Sequence, residues 1–335
     1  MLVSYTALLG LVSGVLAAPN RYVRTTPPSS AVIVDSTGTQ ANSVLTVGAA
    51  IARLTNTTDA QSIFIYPGVY REQVYIPPLA GALTVQGYTS DARSYSDNQV
   101  TITFNLSRTT PGLANNDATS TVRLWTKNVK LYNLNIANTF GSAPTNGQAL
   151  ALSAQATNQG FYGCNFTGYQ DTIYANEGRQ IYAQSFISGA TDFIFGLRAR
   201  AWFEEVDIDV IGPGFITANG REAENNTSFY VFNKARIEGS SGPNSTYLGR
   251  PWRQFSRVVF QRSYISDVVR PEGWSRWDAV QTTANVVYKE YKNYGPGAAT
   301  GARANFSSRA TEPVKIAEIL GKNYEKEEWV DRTYL

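Results

Sequence analysis

The chain has 335 residues, a formal charge of +3, no histidine and one cysteine, Cys164. The missing histidines exclude Ser-His-Asp hydrolysis, histidine-liganded zinc and histidine acid–base catalysis, and a single thiol excludes an internal disulfide. Lys and Arg are too few and too scattered for a nucleic-acid face, whereas 20 Tyr, 15 Phe and 6 Trp among many turn-forming residues read as one large all-β domain.

In chain order, residues 1–17 are apolar, uncharged and end in small residues, which predicts a secretory signal peptide cleaved near Ala17 or Ala18. The run is too short to span a bilayer, so a secreted, extracellular protein with no membrane partner is expected. Residues 18–30, rich in Pro, Ser, Thr and Arg, read as a short leader, and residues 31–335 as a single domain. Asn-x-Ser/Thr acceptors at Asn56, Asn105, Asn165, Asn225, Asn226, Asn244 and Asn305 permit glycosylation; Asn165 lies in a strand pattern and is expected to stay bare.

Val47, Ile51 and Leu54 recur at helical spacing, which predicts a short amphipathic helix with Asn42 or Ser43 as its N-cap. Such a helix suits the open end of a stacked solenoid. From Ile63 the pattern becomes short strands: 62–66, 83–87, 100–104, 129–136, 161–166, 181–186 and 202–206. Cys164, inside one of these runs, reads as a small core residue. Phe166, Phe186 and Val206 are spaced by 20, as are Tyr162 and Tyr182, while Tyr174 and Phe195 are spaced by 21. Apolar residues at a constant offset of this size predict a single-stranded right-handed parallel β-helix; a sandwich or propeller gives no reason for the constant offset. Residues 312–321 read as a helix in a C-terminal helical tail, with Pro near its start and Gly at its end.

Asp171 and Asp192 are 21 positions apart, and Gln148 precedes Asp171 by 23. Taken singly, each residue has an ordinary structural role, and so does Arg250 as an ion-pair partner. In stacked coils about 4.8 Å apart the three would instead form one column on one face. Two close carboxyls cannot ionise equally, which is the basis of acid–base and nucleophilic chemistry. Tyr174, Phe195, Trp252 and Trp274 are candidates to meet the apolar faces of a sugar.

Five motifs in order carry a resemblance: Gly68-Val69-Tyr70-Arg71-Glu72, Gly147-Gln148-Ala149-Leu150, Gly168-Tyr169-Gln170-Asp171-Thr172, Asp192-Phe193-Ile194-Phe195-Gly196 and Leu248-Gly249-Arg250-Pro251-Trp252. They span most of the mature chain, which resembles the pectin methylesterases, a family of carbohydrate esterases, and most of all their secreted fungal members. It lacks the pro-region and paired cysteines of many plant members. The resemblance implies hydrolysis of the C6 methyl esters of homogalacturonan to methanol and pectate, without a metal or cofactor, in plant cell-wall degradation or modification. It implies Asp192 as nucleophile, Asp171 as general acid and then base, Arg250 as the cation that holds Asp192 ionised, and Gln148 with Gln170 as oxyanion donors. Tyr174, Phe195, Thr191, Trp252 and Trp274 would bind the sugar chain. The enzyme is expected to be a monomer whose partner is methyl-esterified pectin. The rival readings are a pectate lyase or polygalacturonase on the same solenoid, and a non-catalytic pectin-binding β-helix. A lyase needs a calcium-binding acidic cluster and a glycosidase two carboxyls flanking a glycosidic bond.

Overall fold

A computed structural model describes residues 22–335. The segment read as a signal peptide lies outside the described residues. The stretch read as a leader is docked where it is described: Arg24 pairs with Thr89 in an antiparallel bridge and lies 4.4 Å from the ring centroid of Tyr132.

Runs of Val, Ile and Phe too short for helices form strands that stack in parallel. Eleven of them, from Val32–Val34 to Ser307–Arg309, make one continuous sheet along the molecule. After each strand of this sheet from Val129–Tyr132 to Val287–Tyr291 the chain turns sharply into a second face. The turn residue has a left-handed backbone in Asn133, Gly163, Gln184, Glu205, Lys234, Arg262 and Lys292, one above another. The second face holds Val100–Phe104, Asn135–Asn138 and Asn165–Thr167; a third holds Val122–Leu124, Leu152–Ala154 and Ile173–Ala175. Phe186–Gly196 and Asp207–Asn219 are long enough to run across both faces without a break. The whole is a right-handed parallel β-helix, the handedness that parallel crossovers almost always take.

The interior is a column of rings. Phe161, Tyr182, Phe203, Phe232 and Phe260 stack face to face, with successive centroids 4.3–4.6 Å apart. Phe161, Tyr182 and Phe203 are spaced by 21, so the predicted 20-residue register is one residue short. Tyr162 is paired with Ala183 and points outward against Tyr334, while Phe166 pairs with Ile187 and Phe186 lies outside against Tyr95. In a strand a slip of one position exchanges inside for outside. The Cys164 thiol is fully buried, and burial pushes it up to about 11, which makes it unreactive.

The N-terminal end is covered by a helix at Val47–Ile51 that inserts Val47 and Ala50 into the core. Its N-cap is Thr46, later than predicted, whose Oγ1 accepts from the Ala49 N–H at 3.1 Å. Glu72, from the first of the five motifs, accepts from the Val47 and Gly48 N–H groups, both at 2.8 Å, and complements the helix dipole. The C-terminal helix is shorter than predicted, Ile316–Leu320: the Val314 N–H and carbonyl are bound by the Gln261 side chain at 2.9 and 3.1 Å, and Lys315 is still extended as the N-cap. Ile319 and Leu320, with Trp329 and Tyr334, cover the outer face of the eleven-stranded sheet over Ile181 and Trp202.

Candidate active site

The site forms where the chain turns from the second face to the third. Gln170 bridges Thr191, and Ile173 pairs with Ile194, so Asp171 and Asp192 stand on adjacent coils at the same position. Both have left-handed backbones, with φ of 65° and 51°. That conformation is strained for a residue with a Cβ and occurs at turns where the backbone must be sharply redirected. The ladder of Phe186–Gly196 shifts register on either side of Thr191, which marks the same turn.

Both carboxyls are buried, each residue 6 % exposed. Arg250 follows the strand Thr246–Gly249 and reaches Asp192 with two hydrogen bonds, Nε to Oδ1 at 2.9 Å and Nη2 to Oδ2 at 2.6 Å. Gly249 is required here, because a Cβ would lie 2.0 Å from Thr217 Oγ1. The guanidinium is held between two rings, 4.0 Å from the Phe215 centroid and 4.2 Å from that of Trp277. Among the described residues no cation is paired with Asp171; its side-chain partner is Asn116, whose Nδ2 donates to Oδ2 at 3.2 Å.

This asymmetry separates the two acids. Burial, reinforced by the charge of Asp192, holds the Asp171 carboxyl well above the usual range. Burial also raises Asp192, but there the hydrogen bonds and charge of Arg250 oppose it. The net direction at Asp192 is upward, so Arg250 offsets desolvation rather than bringing the pKa below its ordinary value. Of the pair, Asp192 ionises first.

Gln148 is not in line with the aspartates. The Ala149 N–H donates to the Gln170 carbonyl at 3.1 Å, as the Asp171 N–H does to Thr191, so Gln148 stands level with Gln170 and Thr191. The spacing is one residue longer than the coil because the Ala151 and Leu152 N–H groups both donate to the Thr172 carbonyl, a local bulge. Gln148 and Gln170 are half-buried beside the carboxyls, and Gln148 Oε1 is buried without a hydrogen-bond partner among the described residues.

Tyr174 and Phe195 stack at 4.3 Å with nearly parallel planes, and Trp252 leans on Phe195 at 6.0 Å. Phe195 is almost wholly covered, so Tyr174 and Trp252 present the accessible ring surface. They line a groove of about 380 Å³ together with Arg108, Asn115, Asn116, Asp117, Trp125 and Gln155. A larger hollow of about 520 Å³ at the C-terminal end lies away from both aspartates, so volume alone does not mark the site.

Trp274 is a correction. It is buried in the core, stacks on Tyr288 at 4.2 Å and donates from Nε1 to Glu290 Oε1 at 3.2 Å. The tryptophan that reaches the site is Trp277, three residues on. The two share a loop, and only the inward path of the backbone at Trp274 tells them apart. Asn116 was also missed, because it sits in a polar turn with no motif around it.

The fold, the buried acid pair and the groove define a β-helical enzyme, and comparison with known proteins narrows the class. A sequence model of the family described as Pectinesterase matches residues 31–325. Pectinesterases from Aspergillus niger and Aspergillus aculeatus are 46% and 47% identical, each over 93% of this chain and 94% of that protein. The crystal structure of the pectin methylesterase from Aspergillus niger, in deglycosylated form, superposes with a TM-score of 0.85 at 38% identity, covering 93% of this chain and all of that one. The pectin methylesterase from carrot gives 0.80 at 28% identity, covering 92% and 98%. The chain is therefore a carboxylic ester hydrolase on a right-handed parallel β-helix. It belongs to the pectinesterase family.

Proposed function

We propose that this enzyme removes the C6 methyl esters of galacturonate units in pectin, with Asp192 as nucleophile and Asp171 as acid and base. An Asp192 oxygen attacks the ester carbonyl and forms a C–O bond. The negative charge that develops on the carbonyl oxygen is met by N–H groups of Gln148 and Gln170. The intermediate collapses, the bond to methoxide breaks, and Asp171 gives its proton to the departing oxygen, so methanol leaves. Asp171, now a carboxylate, takes a proton from water as that water attacks the acyl group on Asp192. The galacturonate carboxyl is released, Asp192 recovers its charge and Asp171 its proton.

The observation that carries this reading is the unequal pair: one buried carboxyl bound through two hydrogen bonds by Arg250, the other on the adjacent coil with no paired cation among the described residues. Tyr174, Phe195, Trp252 and Thr191 act in sugar binding, with the rings giving apolar surface to the pyranose faces. Export through the signal peptide at residues 1–17 would deliver a monomeric enzyme to plant cell walls, and the sequence relatives named above support the pectin substrate.

Asp192→Asn tests the assignment. Methanol release from highly methylated pectin is expected to fall by at least ~10⁴-fold, because a weak nucleophile replaces the acyl-forming group. The far-UV spectrum and melting temperature are expected to stay near those of the parent. Methanol release within tenfold of the parent rate overturns the nucleophile role.

A further inference from the structure

We propose that Arg200 and Arg257, on the outer face of the eleven-stranded sheet, form an oxyanion-binding site separate from the catalytic groove, one that takes the carboxylate, sulfate or phosphate group of a ligand. The site does not rest on the esterase reading. It lies on another face of the solenoid and shares no residue with the acid pair or its groove.

The sheet register builds it. Arg179, Arg200, Phe229 and Arg257 each stand three positions before an interior ring, that of Tyr182, Phe203, Phe232 or Phe260. In a strand an odd offset reverses the side, so all four point outward. Arg179 pairs with Arg200 and Arg200 with Phe229, and the pairing of Tyr230 with Val258 sets Phe229 beside Arg257. Arg200 and Arg257 are therefore two strand spacings apart, about 10 Å at Cα, with Phe229 between them. The Arg257 guanidinium lies over that ring, 4.4 Å from its centroid.

Several arginines of this chain have no acid within ion-pair distance among the described residues, Arg253 over Trp252 being one. What sets this group apart is that its cations crowd one another. Arg179 is closed by the C-terminal tail: it donates to both oxygens of Glu327, at 2.5 and 2.6 Å, and to the Leu320 carbonyl at 2.6 Å. One coil on, Arg200 is half-buried, and its side chain makes no hydrogen bond or ion pair among the described residues. Arg257 gives Nε to the Ser228 carbonyl and Nη2 to that of Thr227, both at 3.1 Å, which fixes its plane and leaves Nη1. Burial and the charge of Arg179 lower Arg200; burial and the charges of Arg221 and Arg200 lower Arg257 to about 10. Arg221 spends its own N–H groups on the carbonyls of Glu224, Asn226 and Phe255. Half-buried like charges without a counter-ion repel, and an anion that joins them relieves both desolvation and repulsion. An oxyanion between Arg200 and Arg257 meets free N–H groups from both, the charge-assisted contact that guanidinium makes best.

The test is the melting temperature in millimolar sodium sulfate, against sodium chloride at equal ionic strength so that screening cancels. The parent is expected to gain about 2 °C from sulfate, saturating with concentration. Arg200→Gln and Arg257→Gln are expected to lose that gain, and Arg200→Lys to keep part of it. Arg253→Gln, which removes an acid-free arginine outside the cluster, is expected to keep all of it. Without sulfate, Arg200→Gln is expected to melt no lower than the parent, because it removes a repulsion and no hydrogen bond. A parent that gains nothing from sulfate over chloride overturns the proposal, as does an Arg200→Gln variant that keeps the gain. Calorimetric titration with fully de-esterified oligogalacturonate then separates the sources of the anion. A second binding event that Arg200→Gln loses puts the oxyanion on the polymer, whereas one event, equal in parent and variant, makes a free oxyanion the ligand. Methanol release is expected to be the same in Arg200→Gln as in the parent, so failure here leaves the esterase reading untouched.

Discussion

Two arginine–carboxylate pairs of this solenoid are each joined by two hydrogen bonds, and they are built differently. At the C-terminal end Glu290 receives Arg303 through Nε at 2.8 Å and Nη2 at 3.1 Å, and its oxygens also accept from Trp274 Nε1 and Asn293 Nδ2. Arg303 in turn donates to the carbonyls of Arg270, Pro271 and Gly297. The pair is closed, its side chains 6 % and 5 % exposed. At the site, Asp192 and Arg250 make the same double contact, but their side chains are 9 % and 21 % exposed, and the Asp192 oxygens have no other partner among the described residues. A saturated carboxylate is a structural tie. One left short of partners beside a second acid keeps lone pairs that can react.

The largest expected effect on stability comes from breaking the closed pair. Glu290→Ala leaves the Arg303 guanidinium buried without a counter-ion, which typically costs ~3–5 kcal/mol. A denaturant titration is expected to show a midpoint well below the parent's. Asp192→Asn is expected to shift the midpoint by no more than ~1 kcal/mol, since Arg250 keeps solvent access. Equal losses in the two variants would refute the contrast.

The next effect has a sign set by protonation. Asp171 is raised above the ordinary 3.8 by burial and by Asp192, so the folded state holds its proton where the unfolded chain has lost it. Stability from this group is fully present below the unfolded pKa and declines as the pH rises toward the folded one. Asp171→Asn removes that decline while abolishing the acid. Its melting temperature is expected to exceed the parent's at pH 8, with the gap closing below about pH 4. A gap that is constant between pH 4 and pH 8 would show that Asp171 is ionised in the folded protein. In activity, the parent is expected to lose rate as Asp171 loses its proton, giving an alkaline limb in its kcat profile.

The sequence carries the two aspartates well and the rings poorly, for a physical reason. Asp171 and Asp192 sit at backbone turns, where the 21-residue coil is uninterrupted from Gln170 to Thr191 and from Ile173 to Ile194. Strand rings obey an alternation in which one position decides the side. Tyr162 and Tyr182 look equivalent at a spacing of 20, yet one faces the C-terminal tail and the other the core. Trp274 and Trp277 differ in the same way, and no pattern in the loop between Arg270 and Asp278 tells which is inward. Gln148 is displaced by a bulge that only the hydrogen bonds of Ala151 and Leu152 reveal. The β-helix itself was legible because every coil repeats the same short apolar strands.

The smallest effect concerns how the open pair stays in place. Arg303 is immobilised by hydrogen bonds to three carbonyls, which occupy its N–H groups. Arg250 is immobilised by the faces of Phe215 and Trp277, which occupy none, and its Nη1 has no hydrogen bond among the described residues. Ring faces thus fix the plane of the guanidinium while leaving donors for a substrate oxygen. Trp277→Ala removes one face, a contact worth about 1 kcal/mol when partly desolvated. The expected result is a kcat lowered about fivefold with little change in the denaturation midpoint. Trp277→Phe, which restores a face, is expected to recover most of it, whereas Trp277→Gln, polar and without a ring, is not. Equal rates for the Phe and Gln variants would mean that the side chain only fills space, and that Asp192 alone holds Arg250 in place.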